Sequence, residues 1–132
     1  MADSDLWTAG DVAMRFREAA VTLGRLPPPM AQAYVSLWPS LAGAASGSIR
    51  QDKRLDGIYP APNAIDRLDD VIMWLPWVSP CERRLLWQRA GGVPWKTICS
   101  ELACHRSAAW RRWITAAEKI AASLNLSPRS FS

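Results

Sequence analysis

Four cationic side chains stand close together near residue 106: Arg106, Arg111 and Arg112, with Lys96 ten residues earlier. Ser107 and His105 lie among them. An arginine fork can donate to two acceptors on one guanine edge or to a phosphate, and a helix N-terminus adds its own attraction for an anion. The spacing around these residues is helical. Ala109, Trp113, Ala116, Ile120 and Leu124 recur on one stripe. At about 100° per residue, Ser107, Arg111 and Thr115 point away from that stripe, with Ala108 and Arg112 on a flank. Such a helix buries its apolar side and presents guanidinium groups outward.

Other constellations do less. Cys81, Cys99, Cys104 and His105 lack the close paired spacing of a zinc site, so no metal is expected. The single histidine has no orienting acid near it in sequence, so no nucleophilic site and no catalytic residue is expected. Asp69 and Asp70 lie about 100° apart on a helix and read as a solvated face. Gly91-Gly92 reads as a helix stop, not a phosphate loop. The eight tryptophans scatter over every helix and read as core volume; Trp110, beside the arginines, is the exception. No cofactor and no small-molecule substrate is implied.

The elements that position the cations follow from punctuation. Ser79-Pro80-Cys81-Glu82 is a capping box with proline in the first turn, and it opens a helix over 80–90 that stops at Gly91-Gly92. A short helix over 95–102 buries Ile98 and Leu102, and small Cys99 allows close approach. The turn Ala103-Cys104-His105 leads into the last helix, 106–124. Upstream, Asn63 and Asp66 start a helix over 64–75 that ends at Pro76. Thr8 and Asp11 open the first helix, with Val12, Phe16, Ala19 and Leu23 on one face. Gly24 and Pro27-Pro28-Pro29 stop it. A short helix from Met30 to Leu37 follows, and residues 40–63 read as a loop. The expected architecture is all-α: an N-terminal helical pair (1–39) offering a homodimer or partner surface, a long loop (40–63), a helix-turn-helix domain (64–125) and a frayed tail (126–132).

Composition narrows the class. The chain has 132 residues, 49% hydrophobic and 21% charged, which fits a folded domain. No apolar run approaches a membrane span. With an acidic start, no leader pattern and three cysteines, the expectation is a reduced cytoplasmic protein with no membrane partner. Net charge is +4, but residues 79–132 carry nine basic and three acidic residues while residues 1–78 sum to −2. That asymmetry is the footprint of a polyanion-binding end.

The segment Val93 to Leu102, followed by Ala103 to Trp113, resembles region four of bacterial sigma factors and related regulators. Pro80 to Leu86, with Glu82, Arg83 and Arg84, matches their scaffold helix. The whole chain also resembles small helix-turn-helix proteins of phages and prophages. The resemblance implies a tri-helical DNA-binding fold and a transcription regulator of phage or mobile-element type, touching double-stranded DNA and RNA polymerase. It assigns Arg106, Ser107, Ala108 and Arg111 to bases, and Lys96, His105, Arg112 and Arg84 to phosphates. Two positions depart from that pattern: Ala103 replaces the usual turn glycine, so a differently built turn is expected, and His105 replaces a Ser or Thr cap. A small terminase-like packaging or recombination accessory, and a module docking on an acidic protein, are the competing expectations.

Overall fold

The computed structural model describes residues 6–39 and 59–126. These residues form helices α1 (Ala9–Arg25), α2 (Pro28–Leu37), α3 (Pro62–Trp74), α4 (Pro80–Ala90), α5 (Trp95–Leu102) and α6 (Arg106–Leu126), with one 3-10 turn, Leu75–Trp77. No strand occurs among the described residues, and the protein is all-α there.

The first helix starts where its capping box dictates. Thr8 Oγ1 accepts from the Asp11 N–H at 3.1 Å, and the Thr8 N–H donates back to the Asp11 carboxylate at 3.0 Å. Val12, Phe16, Ala19, Ala20 and Leu23 then face inward. This stripe does not serve as a separate surface. It packs against α3, α4 and α6, so residues 9–25 share one core with residues 62–126, across the expected division at 39–64.

Aromatic volume explains why α1 lies centrally. The Phe16 ring sits 6.0 Å from Trp87, edge to face, and 6.3 Å from Trp74. All three side chains are almost fully buried. Trp7 packs edge-on against Trp74 at 5.4 Å, and its backbone pairs with Asn125. The Trp7 N–H donates to Asn125 Oδ1 at 2.7 Å, and Asn125 Nδ2 donates to the Trp7 carbonyl at 3.0 Å. That pair, at the far end of α6, extends the helix to Leu126, past the expected end at 124.

Two starts differ from expectation because proline takes the first helical position. α3 begins at Pro62 rather than near Asn63, and α2 begins at Pro28 rather than Met30. Proline's fixed φ suits that position, and its missing N–H would have no partner there. Pro76 ends α3 but is followed by no abrupt turn; the chain tightens into the 3-10 turn instead. Side chains then tie the layers together. Arg67 of α3 meets Glu18 of α1 at 2.7 Å, and Tyr34 Oη of α2 donates to Asp69 of α3 at 2.6 Å. Burial and then the Asp69 carboxylate push the Tyr34 hydroxyl up to about 12. Of the expected loop 40–63, residues 40–58 lie outside the described residues.

Because one core holds both halves, Phe16→Ala is expected to cost about 3–5 kcal/mol. Tryptophan fluorescence and circular dichroism should then report one common, lowered melting transition. Two separated transitions would mean that α1 is dispensable to the rest.

Candidate functional site

The cationic cluster is carried by α4, α5 and α6. α4 is anchored twice at its start. The Ser79 N–H donates to Glu82 Oε1 at 2.8 Å, and Ser79 Oγ accepts from the Glu82 N–H at 3.2 Å. The other carboxylate oxygen of Glu82 accepts from Lys119 Nζ of α6 at 2.7 Å. Burial opposes ionisation of Glu82, but the bonds from Lys119 and Ser79 outweigh it and hold the carboxyl below its ordinary range.

A second, smaller core joins the three helices. Leu85 of α4, Ile98 of α5 and Ala109 of α6 are buried together, flanked by Trp95, Cys99, Leu102 and Trp113. Trp95 and Trp113 meet edge to face at 6.0 Å. Trp113 also touches the main core, which locks α6 to both. The eight tryptophans are therefore not equivalent: Trp74 and Trp87 are interior, whereas Trp110 is 47% exposed beside the arginines.

The turn between α5 and α6 uses the left-handed conformation despite its alanine. Ala103 has φ 53° and ψ 45°, and no other non-glycine among the described residues has positive φ. The turn is thus the ordinary one, kept at a conformational cost of about 1 kcal/mol. It is worth keeping because it directs the N–H of Cys104 to the carbonyl of Cys99 at 3.2 Å, which closes α5. His105 caps α6 in place of a hydroxyl residue. Its Nδ1 accepts from the Ser107 N–H at 3.4 Å and lies 3.2 Å from Ser107 Oγ.

The side chains singled out in the sequence fall into two groups. Arg106, Ser107, Arg111 and Arg112 are exposed on the first two turns of α6, Ala108 is half-exposed, and His105 and Lys96 are exposed beside them. Arg111 Nε reaches back to the Ser107 carbonyl at 3.3 Å. Arg111, Arg112 and Thr115 line a groove of about 430 Å³ against Cys81 and Leu85 of α4. Arg84 stands apart from this group. Its guanidinium contacts Glu101 at 3.2 Å, and Gln88 donates to the same oxygen at 2.9 Å. The Gln88 bond, helped by the charge and bond of Arg84, holds the Glu101 carboxyl low against the opposing effect of burial. Glu101 is therefore matched to α4, not to Arg111 or Arg112.

One cation that the sequence did not single out lies on the opposite flank. Arg89 of α4 donates from Nη1 to the Val93 carbonyl at 2.8 Å, and its guanidinium lies 4.6 Å over the Trp95 ring. Burial, then the charges of Arg106 and Arg17, push it below its ordinary value. Its neighbour Arg17 is 72 positions away along the chain, so no local pattern could have paired them. Among the described residues, no group of His, Cys, Asp and Glu could hold a metal, and no helix is long and apolar enough to cross a membrane.

The family described as Domain of unknown function (DUF6362) matches residues 24–120, about three-quarters of the chain. The protein belongs to this family. No curated protein and no solved structure matches the chain. The family's span runs from the end of α1 to Ile120 in α6, so it contains α4, α5, the left-handed turn and the cationic turns of α6.

Two variants test this geometry. Ala103→Gly is expected to raise stability by about 1 kcal/mol, read as a melting temperature a few degrees higher. Glu82→Gln keeps a capping partner but loses the charge facing Lys119. Because the folded carboxyl is held low, its contribution is complete above the unfolded value and disappears as pH falls through the folded one. Denaturant titrations should show a loss of about 0.5–1 kcal/mol at neutral pH and none in strong acid.

Proposed function

We propose that this protein binds double-stranded DNA with sequence preference, using α5, the Ala103 turn and α6 as a helix-turn-helix, and that it acts in regulating transcription. The observation that carries the reading is the presentation of α6. Its Ala109–Trp113 side is packed down on α4 and α5, while Arg106, Ser107, Arg111 and Arg112 stand exposed on its first two turns. A helix held in this way can enter a major groove with its N-terminal side chains toward base edges.

The roles follow from chemistry. Arg111 and Arg106 are the forks that can read guanine O6 and N7, with Ser107 and Ala108 between them. Arg112, Lys96 and His105 lie where sugar-phosphate strands would pass, and such contacts fix register without reading sequence. Arg84, exposed but engaged by Glu101, would reach a phosphate only by exchanging that partner. The resemblance of Pro80 to Trp113 to sigma region four supports the same assignment. It also makes RNA polymerase a proposed protein partner.

Selection from a random duplex pool, followed by fluorescence anisotropy, tests the reading. One sequence class should be enriched. Arg111→Ala should then cost about 1–3 kcal/mol on the selected duplex and much less on random duplex. Lys96→Ala should weaken both alike and reduce the salt slope by about one. Absence of duplex affinity at low salt, with stoichiometric capture of an acidic protein, would replace this reading with a protein-docking one.

A further inference from the structure

Arginines from three helices converge on the side of α6 that faces α1. Arg17 of α1 and Arg89 of α4 line one cleft of about 230 Å³, floored by Phe16, Leu86 and Trp113. Arg106 opens α6 above it, and its charge is felt at Arg89 together with that of Arg17. No carboxylate among the described residues pairs with any of the three, although Glu18, Glu82 and Glu101 neutralise Arg67, Lys119 and Arg84 elsewhere. Arg89 is fixed by the Val93 carbonyl and the Trp95 ring, and its buried Nε has no hydrogen-bond partner. Three like charges gathered without a counter-charge among the described residues repel one another. An anion placed among them relieves that repulsion.

The position of the cluster identifies the anion. On α6, Arg106 and Arg112 stand about 60° to either side of the buried Ala109. Arg112 faces the groove toward the start of α4, whereas Arg106 shares its flank of α6 with Trp113, which lines the cleft beside Arg17. A helix seated in a major groove has a phosphate strand on each side. We infer that Arg17, backed by the charge of Arg89, holds a backbone phosphate of the DNA strand on the α1 side, making the N-terminal helix part of the DNA-binding surface. This inference rests on the duplex-binding reading and adds a second strand contact to it. Arg89 is a positioning residue here: it stays on Trp95 and supplies field, while exposed Arg17 reaches the phosphate oxygens and Arg106 keeps its base-reading role.

The test compares Arg17→Gln with Arg15→Gln in the full chain, using random-sequence and selected duplexes. Arg15 lies two positions away on α1, with its guanidinium 5.0 Å over the Trp7 ring, and serves as the equal-charge control. Arg17→Gln should weaken both duplexes alike, about 3- to 10-fold, and lower the salt slope by about one. Without DNA its melting temperature should be unchanged or higher at low salt, because one repelling charge is gone. Arg15→Gln should leave affinity and slope as they are. Wild-type binding by Arg17→Gln, beside a clear loss in Arg111→Ala, would overturn this inference and leave the duplex reading standing. Equal losses in the two glutamine variants would overturn it as well, since they would reflect net charge alone. A wild-type protein without duplex affinity would remove both.

Discussion

Phe16 wedged between Trp74 and Trp87 is the contact on which the arrangement depends. It fixes α1 against α3 and α4 at once, and α6 then closes over the same centre through Ala116, Ala117, Ile120 and Leu124. The small residues of α6 matter as much as the large rings. Alanines on its inner stripe let its backbone approach α1 and α4 closely, so the bulky indoles can lie between elements without forcing them apart. Where Trp113 replaces alanine in that stripe, the helix bridges to a second small core beneath α5. The orientation of the first turns of α6 is thus set by packing many residues away from them.

Charge is divided sharply within this framework. The acids that are engaged do structural work: Glu82 caps α4 and holds Lys119, Glu101 joins α5 to Arg84 and Gln88, and Glu18 binds Arg67. The cations of the α6 start are left facing water. Exposed ion pairs add little stability, so pairing those arginines would have cost the fold almost nothing. No carboxylate among the described residues pairs with them, and under the proposed reading their field would favour encounter with a polyanion over long distances.

Much of this was legible in the sequence wherever the signal was local. The bounds of α4 followed from the Ser79–Glu82 box and Gly91-Gly92, and the outward face of α6 followed from its 3.6-residue stripe. What was not legible depended on partners far along the chain. Nothing near Arg84 announces Glu101, and nothing near Arg17 announces Arg89. Two misreadings were of another kind. The Pro27–Pro29 run ends α1 but also supplies the first residue of α2, and Pro62, within the expected loop, opens α3. Alanine at 103 suggested an altered turn, yet the closing bonds of α5 hold it in the left-handed region.

The clasp between Trp7 and Asn125 joins positions 118 apart and lies at the opposite end of α6 from Arg106. At about 1.5 Å per residue, the two places are separated by roughly 28 Å along the helix axis. Polypeptide entering at Trp7 and polypeptide leaving at Asn125 therefore share one corner of the molecule. A neighbouring module, affinity handle or fluorescent reporter spliced to either side would begin at that corner, with the arginine-bearing pole on the far side.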